Sequence, residues 1–440
     1  MKKLKRVFLV LLLISIVALV YNYPKMNIIA GYSVKNTASS VFVANRTLEF
    51  TDKTDTNFYP IYIAGNQVNI INKTAKANVL GLVTKKAYFR EGLGSVLGLE
   101  EADFKAKYLI PKRASPDNIT PFPFGNAAQK DTIFNNVDYI KLNKTVAVLF
   151  DSVNQTRASL VIYKNKIIAE RYGEGFNQNS KLLGWSMTKT ITGSLFGILE
   201  HQKRMNVYDK APIEVWKNDK RNQITVHNLL QMNSGLQWHE EYSSITDVVK
   251  MLYLDRDMTK RQIKQPMVGK PNETWNYSSG TTNVLSTILR QQFKTQQEYL
   301  DFWYTALIDK IGMNSMLVET DLVGNYVGSS YGWATARDWS KLGLLYLYNG
   351  TWKGEELFTK KWVKYATTAT PTSKGSYGAQ IWLNAGKEYP NVPQNMYYFS
   401  GHQGQNVYVF PDQDLVVVRM GLTKNADVDT FLSGVLKSIK

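Results

Sequence analysis

Two polar residues three positions apart in this sequence can supply a nucleophile and its base. In the run Gly-Trp-Ser-Met-Thr-Lys at 184–189, Ser186 is followed by Lys189. Residues at i and i+3 lie on one helical face, so the lysine amine can reach the serine hydroxyl. A serine hydroxyl becomes a useful nucleophile only when a base takes its proton, and an uncharged lysine can be that base. The same pattern also fits a serine that caps a buried helix.

The residues around Lys189 favour an uncharged amine. The positive end of the helix dipole is near, and the apolar residues that follow predict burial: Ile191, Leu195, Phe196, Ile198 and Leu199. Both effects lower the pKa of a lysine. We therefore predict that Lys189 acts as general base toward Ser186.

Two further polar motifs follow in the chain. Trp-Asn-Tyr-Ser-Ser-Gly at 275–280 puts Tyr277 just before an apolar helix predicted over about 281–293. Ser-Gly-His-Gln-Gly-Gln at 400–405 precedes the strand-like run 406–410. Taken singly, the tyrosine fits a packed aromatic residue and the histidine a loop residue. The order of all three motifs is more specific than any one of them.

This order resembles that of the penicillin-recognising serine hydrolases: class C β-lactamases, D,D-peptidases, related esterases and 6-aminohexanoate-oligomer (nylon oligomer) hydrolases. Those families use Ser-x-x-Lys, Tyr-x-Asn, and Lys-Thr-Gly or His-x-Gly. Three blocks, 224–236, 277–283 and 328–339, are similar to the 6-aminohexanoate-oligomer hydrolase branch. The resemblance covers about residues 131–440.

The resemblance implies a fold and a reaction. The fold is mixed α/β (α+β) of the β-lactamase/D,D-peptidase type, with an antiparallel sheet flanked by helices and an all-helical subdomain. The reaction cleaves an amide or ester bond of a small-molecule or peptide-like substrate through an acyl-enzyme. It requires no cofactor, and the four histidines have no metal-ligand spacing.

The resemblance also implies roles for matching residues. Ser186 would attack the carbonyl carbon, and Lys189, coupled to Tyr277, would pass the proton to the leaving group. The backbone N–H groups of Ser186 and Gln405 would bind the oxyanion. Gly404 would let its strand approach the substrate closely.

Two positions depart from the family pattern. Ser279 stands where the family has the asparagine that orients a substrate amide, and a serine reaches less far. His402 replaces the lysine of Lys-Thr-Gly, and it is mostly neutral near pH 7, whereas a lysine would hold an anionic carboxylate. Both changes favour an amidase or esterase with a less anionic substrate over a β-lactamase.

Two alternatives remain open. Gly-Ser-Ser-Tyr-Gly at 328–332 fits the nucleophile elbow of α/β-hydrolases, with Ser330 as nucleophile and with Asp338 and His402 following in order. No convincing strand leads into it, however. The other alternative is a catalytically degenerate cell-envelope binding protein of the same fold.

Composition limits the classes of partner. The 440-residue chain has a net charge of +17, but the cationic residues are scattered, as on a basic solubilising surface. We find no nucleic-acid-binding motif. The absence of cysteine from the sequence excludes disulfides and thiol nucleophiles.

The first residues predict export. Lys2, Lys3, Lys5 and Arg6 precede the run Val7–Tyr21, which only Ser15 interrupts. Fifteen helical residues span about 22 Å, less than the ~30 Å of a hydrocarbon core. Since no clean cleavage site follows, the segment is either a signal peptide or a membrane anchor. In both cases we expect a periplasmic or membrane-anchored protein facing outside the cytoplasm.

The domain prediction follows from these segments. Residues 1–23 form the signal peptide or anchor, 24–130 an extension of unknown role, and 131–440 the hydrolase domain with a helical subdomain at about 213–319. Within the extension, 58–64 and 68–71 are strand-like. Strand patterns at both ends of the hydrolase part predict one antiparallel sheet formed by distant segments.

Overall fold

The structure, a computed structural model, describes residues 2–423 and 425–440. The chain forms two compact units. The first comprises Met1–Lys107 and His239–Met258, and the second comprises Tyr108–Trp238 and Thr259–Lys440. An internal segment of the chain, His239–Met258, therefore belongs with the amino-terminal unit. This membership interrupts the stretch 213–319 that we assigned to one helical subdomain.

The described residues form α-helices and β-strands that we number in chain order. The helices are α1 (Lys2–Phe42), α2 (Leu48–Lys53), α3 (Tyr139–Val148), α4 (Thr188–His201), α5 (Val226–Leu230), α6 (Asp247–Leu254), α7 (Lys260–Ile263), α8 (Ser279–Arg290), α9 (Gln296–Trp303), α10 (Ala336–Leu347), α11 (Lys360–Ala366) and α12 (Val428–Leu436). The strands are β1 (Ala64–Asn69), β2 (Thr74–Val79), β3 (Val83–Arg90), β4 (Gly94–Gly98), β5 (Thr156–Tyr163), β6 (Lys166–Tyr172), β7 (Leu182–Leu183), β8 (Leu317–Val318), β9 (Gly332–Ala334), β10 (Thr351–Trp352), β11 (Glu355–Glu356), β12 (Trp382–Leu383), β13 (Tyr397–Gly401), β14 (Gln405–Phe410) and β15 (Leu415–Gly421).

The second unit is built on a six-stranded sheet in the order β12-β13-β14-β15-β5-β6. Every neighbouring pair is antiparallel, and β15 pairs with β5 although about 250 residues separate them in the chain. The predicted antiparallel sheet of distant segments is thus confirmed. Strands β14, β15 and β5 lie inside the sheet and are covered on both faces. They are therefore buried along their whole lengths.

Alternate residues of the sheet pack against helices on opposite faces. Tyr408 and Phe410 point into a cluster with residues of α3 and α12. Val407 and Val409 face α10, where a Cβ at Gly343 would lie 2.8 Å from a methyl of Val407. The missing side chain lets α10 approach closely, so the sheet is enclosed by helices as the predicted fold class requires.

The first unit encloses most of the carboxyl-terminal half of helix α1. The four strands β1-β2-β3-β4 form an antiparallel sheet, and α1 packs against it and against α6. From Ala30 to Val41 every residue of α1 is buried. The strand pattern differs from our prediction for the extension, since β1 overlaps only residue 64 of the first predicted run and residues 68–69 of the second. The helix also continues to Phe42, beyond residue 23, where we placed the end of the signal peptide or membrane anchor.

Candidate active site

Ser186 lies in a single 3₁₀ turn, Trp185–Met187, that leads directly into α4. Trp185 has a φ of +47°, a left-handed conformation that costs a bulky residue energy and is typical of functional sites. Backbone packing holds the turn, because a Cβ at Gly401 would lie 2.1 Å from the carbonyl oxygen of Gly184. The end of β13 is therefore pressed against the turn that presents Ser186.

Lys189 is buried one helical turn later and has three close oxygen partners. Its Nζ lies 2.9 Å from Ser186 Oγ, 2.9 Å from Ser279 Oγ and 2.9 Å from the carbonyl oxygen of Ser329. Only 1% of the residue is exposed. Segments from three distant parts of the sequence thus meet at a single amine.

Tyr277 covers the same amine with its ring. Lys189 Nζ lies 4.8 Å from the centroid of the Tyr277 ring, within the range of a cation–π contact. Tyr277 is half-buried and is held by an aromatic cluster, with ring centroids 5.6 Å from Tyr377 and 5.0 Å from Trp382. It directly precedes Ser278, whose side chain caps α8 by accepting from the N–H of Thr281.

The turn from His402 to Gln405 lies beside the Ser186 turn. The ring of His402 contacts Trp185 edge-on at 5.4 Å. The Gln405 side chain is anchored to the sheet, since its Nε2 donates to the carbonyls of Gly421 and His402 and its Oε1 accepts from the N–H of Gly421. Because its side chain is engaged in these bonds, Gln405 can contribute to the site through its backbone.

Position 404 requires glycine for two reasons, its backbone conformation and the close approach of a neighbouring side chain. Its φ is +78°, and a Cβ there would lie 2.2 Å from Nη1 of Arg419. Arg419 is fully buried, and its Nη1 donates to the carbonyls of Gly404 and Thr423 at 2.8 Å each. Burial lowers the pKa of Arg419 to about 10. The space that Gly404 provides is thus occupied by this guanidinium.

The structure brings Ser186, Lys189, Tyr277 and Ser279 together, and it brings His402, Gly404 and Gln405 to the neighbouring turn. Ser279 is buried against Lys189, so the departure from the family's asparagine falls next to this amine.

Ser330 is placed differently from the serine of a nucleophile elbow. It is fully buried and precedes β9 instead of following a strand. Its Oγ lies 2.9 Å from Ser329 Oγ. Asp338, the acid in that alternative, accepts from Ser315 and pairs with Lys341 at 2.9 Å. This geometry does not support a hydrolase that uses Ser330.

Sequence reasoning missed three contributors. The first is the backbone carbonyl of Ser329, which contacts Lys189, and the second is the guanidinium of Arg419, which binds the backbone carbonyl of Gly404. Contacts to backbone carbonyls can be made at any residue type, so the sequence does not reveal them. The third is the aromatic packing of Tyr377 and Trp382 on Tyr277, which joins segments about 100 residues apart. The block 328–339, singled out above by resemblance, was the one available signal for Ser329. Among the described residues, no group of three or more His, Asp or Glu residues is arranged to hold a metal ion.

Comparisons with known proteins agree with this geometry. The family model described as beta-lactamase matches residues 155–429, more than half of the chain. The 6-aminohexanoate-dimer hydrolase of Paenarthrobacter ureafaciens is 24% identical, and the match covers 62% of this chain and 74% of that protein.

Solved structures share the fold. A proposed 6-aminohexanoate-dimer hydrolase from Bacillus anthracis superposes with a TM-score of 0.60 at 21% identity, covering 74% of this chain and 89% of that one. A penicillin-binding protein homologue from Caulobacter crescentus gives a TM-score of 0.54 at 14% identity, covering 70% of this chain and 99% of that one. The sequence resemblance, the fold and the family match agree, and the chain belongs to the beta-lactamase family of serine hydrolases.

Proposed function

We propose that the protein is an exported hydrolase that cleaves an amide or ester bond through an acyl-enzyme on Ser186. The observation that carries the proposal is the convergence of three oxygens on Lys189 Nζ, each at 2.9 Å. In this mechanism Ser186 Oγ attacks the carbonyl carbon as its proton moves to Lys189. The proton then passes to the leaving group with Tyr277 as partner, and water hydrolyses the acyl-enzyme.

The partners of Lys189 suit an uncharged amine. A neutral amine has two N–H groups and one lone pair. The Ser329 carbonyl can only accept, and Ser279 Oγ can accept as well, so these two take both N–H groups. The lone pair is then left for the hydroxyl proton of Ser186. Burial supports this state, because it disfavours a charged group.

The backbone beside Ser186 suits oxyanion stabilisation. We assign the two donors to the N–H groups of Ser186 and Gln405. The close approach of Gly401 to Gly184 holds the two turns together, and donors fixed before the reaction need no reorganisation as charge develops. Arg419 acts as a positioning residue, since it binds the carbonyl of Gly404, which precedes Gln405.

The substrate is proposed to be a small amide or ester, peptide-like or otherwise, with little need for an anionic group, because His402 stands where the family has lysine. The relative from Paenarthrobacter ureafaciens is named for hydrolysis of the 6-aminohexanoate dimer, a linear amide. Such linear amides are therefore the first compounds to test.

The experiment is a substrate screen with the purified full-length chain. p-Nitrophenyl esters, aminohexanoate oligomers, D-amino-acid peptides and nitrocefin would be compared for the unchanged chain, Ser186→Ala and Ser330→Ala. We expect at least one ester or amide to be cleaved and Ser186→Ala to lower kcat/KM by about 10³-fold or more. Ser330→Ala should stay within about fivefold of the unchanged chain, since Ser330 does not contact Lys189.

Two outcomes would overturn the proposal. Loss of activity with Ser330→Ala alone would point to the nucleophile elbow. No turnover of any compound class, together with no labelling by a fluorophosphonate, would favour a catalytically degenerate binding protein.

A further inference from the structure

Helix α1 has two segments with opposite surroundings. The described side chains from Val7 to Val20 are all exposed, and nearly all are apolar, whereas residues 30–41 are buried inside the first unit. Between Arg6 and Lys25 the sequence has no charged residue. At 1.5 Å per residue these 18 positions span about 27 Å, close to the ~30 Å hydrocarbon core of a bilayer. Helix α1, with Pro24 between the two segments, thus connects an apolar stretch long enough to cross a membrane with the interior of the first unit.

Contacts along α1 give the direction of the sheet that packs on it. Ser33 Oγ lies 2.9 Å from Asn66 Oδ1 in β1. The ring of Phe42 lies 6.1 Å from that of Phe89, whose N–H donates to the carbonyl of Lys73. The beginning of β2 is therefore near the Phe42 end of α1, and the end of β2 is nearer the exposed apolar segment Val7–Val20.

The turn after β2 reaches almost to that segment. The six residues of β2 span about 17 Å. In an α-helix the same length is covered by about eleven residues, which, counted back from Phe42, reach about residue 31. Taking β2 to run alongside α1, these lengths place the turn at Leu80–Leu82 level with about residues 27–31 of the helix.

Exposed apolar side chains cluster at this level, and we call them the apolar rim. Ile63 precedes Ala64, which pairs with Val79, so Ile63 and Leu80 are neighbours. The rings of Tyr59 and Tyr62 lie 6.2 Å apart. The rim consists of Tyr59, Tyr62, Ile63, Leu80 and Leu82, which are exposed by 36% to 76%.

Leu80 has an energetically unfavourable backbone conformation. It has a φ of +54°, followed by Gly81 at +74°, and Leu82 N–H donates to the carbonyl of Val79 at 3.0 Å. Val79 pairs with Val83, so three residues connect the two strands, and positions with a left-handed backbone in such turns favour glycine or asparagine over leucine. Ile71 is more exposed than Leu80 (92% against 69%) but has no left-handed backbone, so it is the strained conformation of Leu80, together with its exposure, that points to an apolar partner.

We propose that α1 is retained as a membrane anchor and that the apolar rim sits in the interface of the same bilayer. Tyrosines at the rim suit the headgroup level, where amphipathic rings are enriched. Lys25 follows the uncharged segment of α1 and Lys85 follows the turn by three residues, and both can contact anionic lipid headgroups. The first unit then stands directly on the membrane surface. This inference does not depend on catalysis, and it goes beyond the choice between signal peptide and anchor.

Single-cysteine labelling tests the proposal, since the chain has no cysteine of its own. The full-length chain carrying Leu80→Cys would be labelled with an environment-sensitive fluorophore and reconstituted into phosphatidylethanolamine/phosphatidylglycerol vesicles. Ile71→Cys is the matched control, because Ile71 is 92% exposed in the turn at the opposite end of the same sheet.

We expect a label at position 80 to shift its emission to the blue and to be quenched by lipids that carry a shallow spin label. A label at position 71 should remain in water. Equal water exposure at the two positions would overturn the proposal. Shielding at position 80 without quenching by lipid would also overturn it, because that result indicates a protein partner such as a second copy.

A second variant separates membrane contact from folding. Leu80→Asn suits the left-handed turn better, so the thermal midpoint should stay the same or rise. A label introduced with Tyr62→Cys should nevertheless lose about half of its lipid quenching in this background. Unchanged quenching would contradict the role of Leu80. Intact mass of the membrane-bound protein completes the test, since a mature chain that begins after residue 23 would exclude a retained anchor.

Discussion

The active-site region and the apolar rim are unusual in opposite ways: the first buries a charged residue type, and the second exposes apolar residues. Lys189 belongs to a residue type that is rarely buried, yet only 1% of it is exposed. Leu80 belongs to a type that is usually covered, yet 69% of it is exposed. Each exception indicates the chemistry of a partner: buried polar groups suit a reacting carbonyl, and exposed apolar groups suit lipid.

The strongest test of this contrast compares two buried lysines. Lys189→Met should lower kcat by about 10³-fold or more, because it removes the proposed base. Lys341→Met is the matched control, since Lys341 is also 1% exposed but pairs with Asp338 and donates to the carbonyl of Gly312. Esterase assays normalised to folded protein would show the difference.

The control lysine should lose stability instead of activity. Removing one member of a buried ion pair leaves the other uncompensated, so the thermal midpoint of Lys341→Met should fall. Equal losses of activity in the two variants would indicate that burial of a lysine, and not its contact with Ser186, explains the effect.

The phenol of Tyr277 should give the next largest effect. Tyr277→Phe keeps the ring against Lys189 and Trp382 but removes the hydroxyl, so we expect kcat to fall by about 10²-fold. Tyr377→Phe makes the same change in a neighbouring ring of the cluster and should alter kcat by less than about threefold. Stopped-flow measurement of p-nitrophenyl release would distinguish acylation from deacylation, and similar behaviour of the two variants would remove Tyr277 from the mechanism.

Arg419 should affect the site through position. Lysine cannot reach the carbonyls of Gly404, Thr423 and Asn154 together, as the guanidinium does. Arg419→Lys should destabilise the fold by about 2–4 kcal/mol, since buried carbonyls lose their donors. It should also lower kcat by about tenfold with little change in KM, because the Gln405 N–H is displaced. A loss of stability with kcat unchanged would make Arg419 purely structural.

The smallest predicted effect is one of pH at His227. Its Nδ1 lies 2.9 Å from the Tyr365 hydroxyl, and burial lowers the pKa of this histidine below 6.5. The unfolded chain therefore binds more protons there on acidification, so this contribution to stability is complete above pH 6.5 and declines as the pH falls below it. The thermal midpoint measured from pH 7.5 to 5 should decline less steeply for His227→Gln; identical slopes would contradict the assignment.

The sequence predicted the hydrolase sheet and the residues around Lys189 for definite reasons. Strands β5, β14 and β15 contain the apolar runs 160–163, 407–410 and 415–418. Ser186 and Lys189 stand out because polar residues at helical spacing precede an apolar helix. The catalytic roles of these residues, however, stay predictions that only activity measurements can test.

The first unit was less predictable. Strands β1 and β2 contain polar residues such as Gln67, Lys76 and Asn78, and they have no strong apolar alternation. The helix beyond residue 30 is rich in serine, threonine and asparagine although it is buried, so hydropathy does not predict its extent. The membership of α6 depends on contacts between distant segments, which periodicity does not encode.

The most direct test of the central claim is to trap the acyl-enzyme. The full-length chain would be treated with a fluorophosphonate or a slow p-nitrophenyl ester, digested, and analysed by mass spectrometry. We predict one adduct, on the peptide containing Ser186, which disappears in Lys189→Met. An adduct at Ser330, or labelling of Ser186 that is equally fast without Lys189, would contradict the proposed use of this serine and lysine as nucleophile and base.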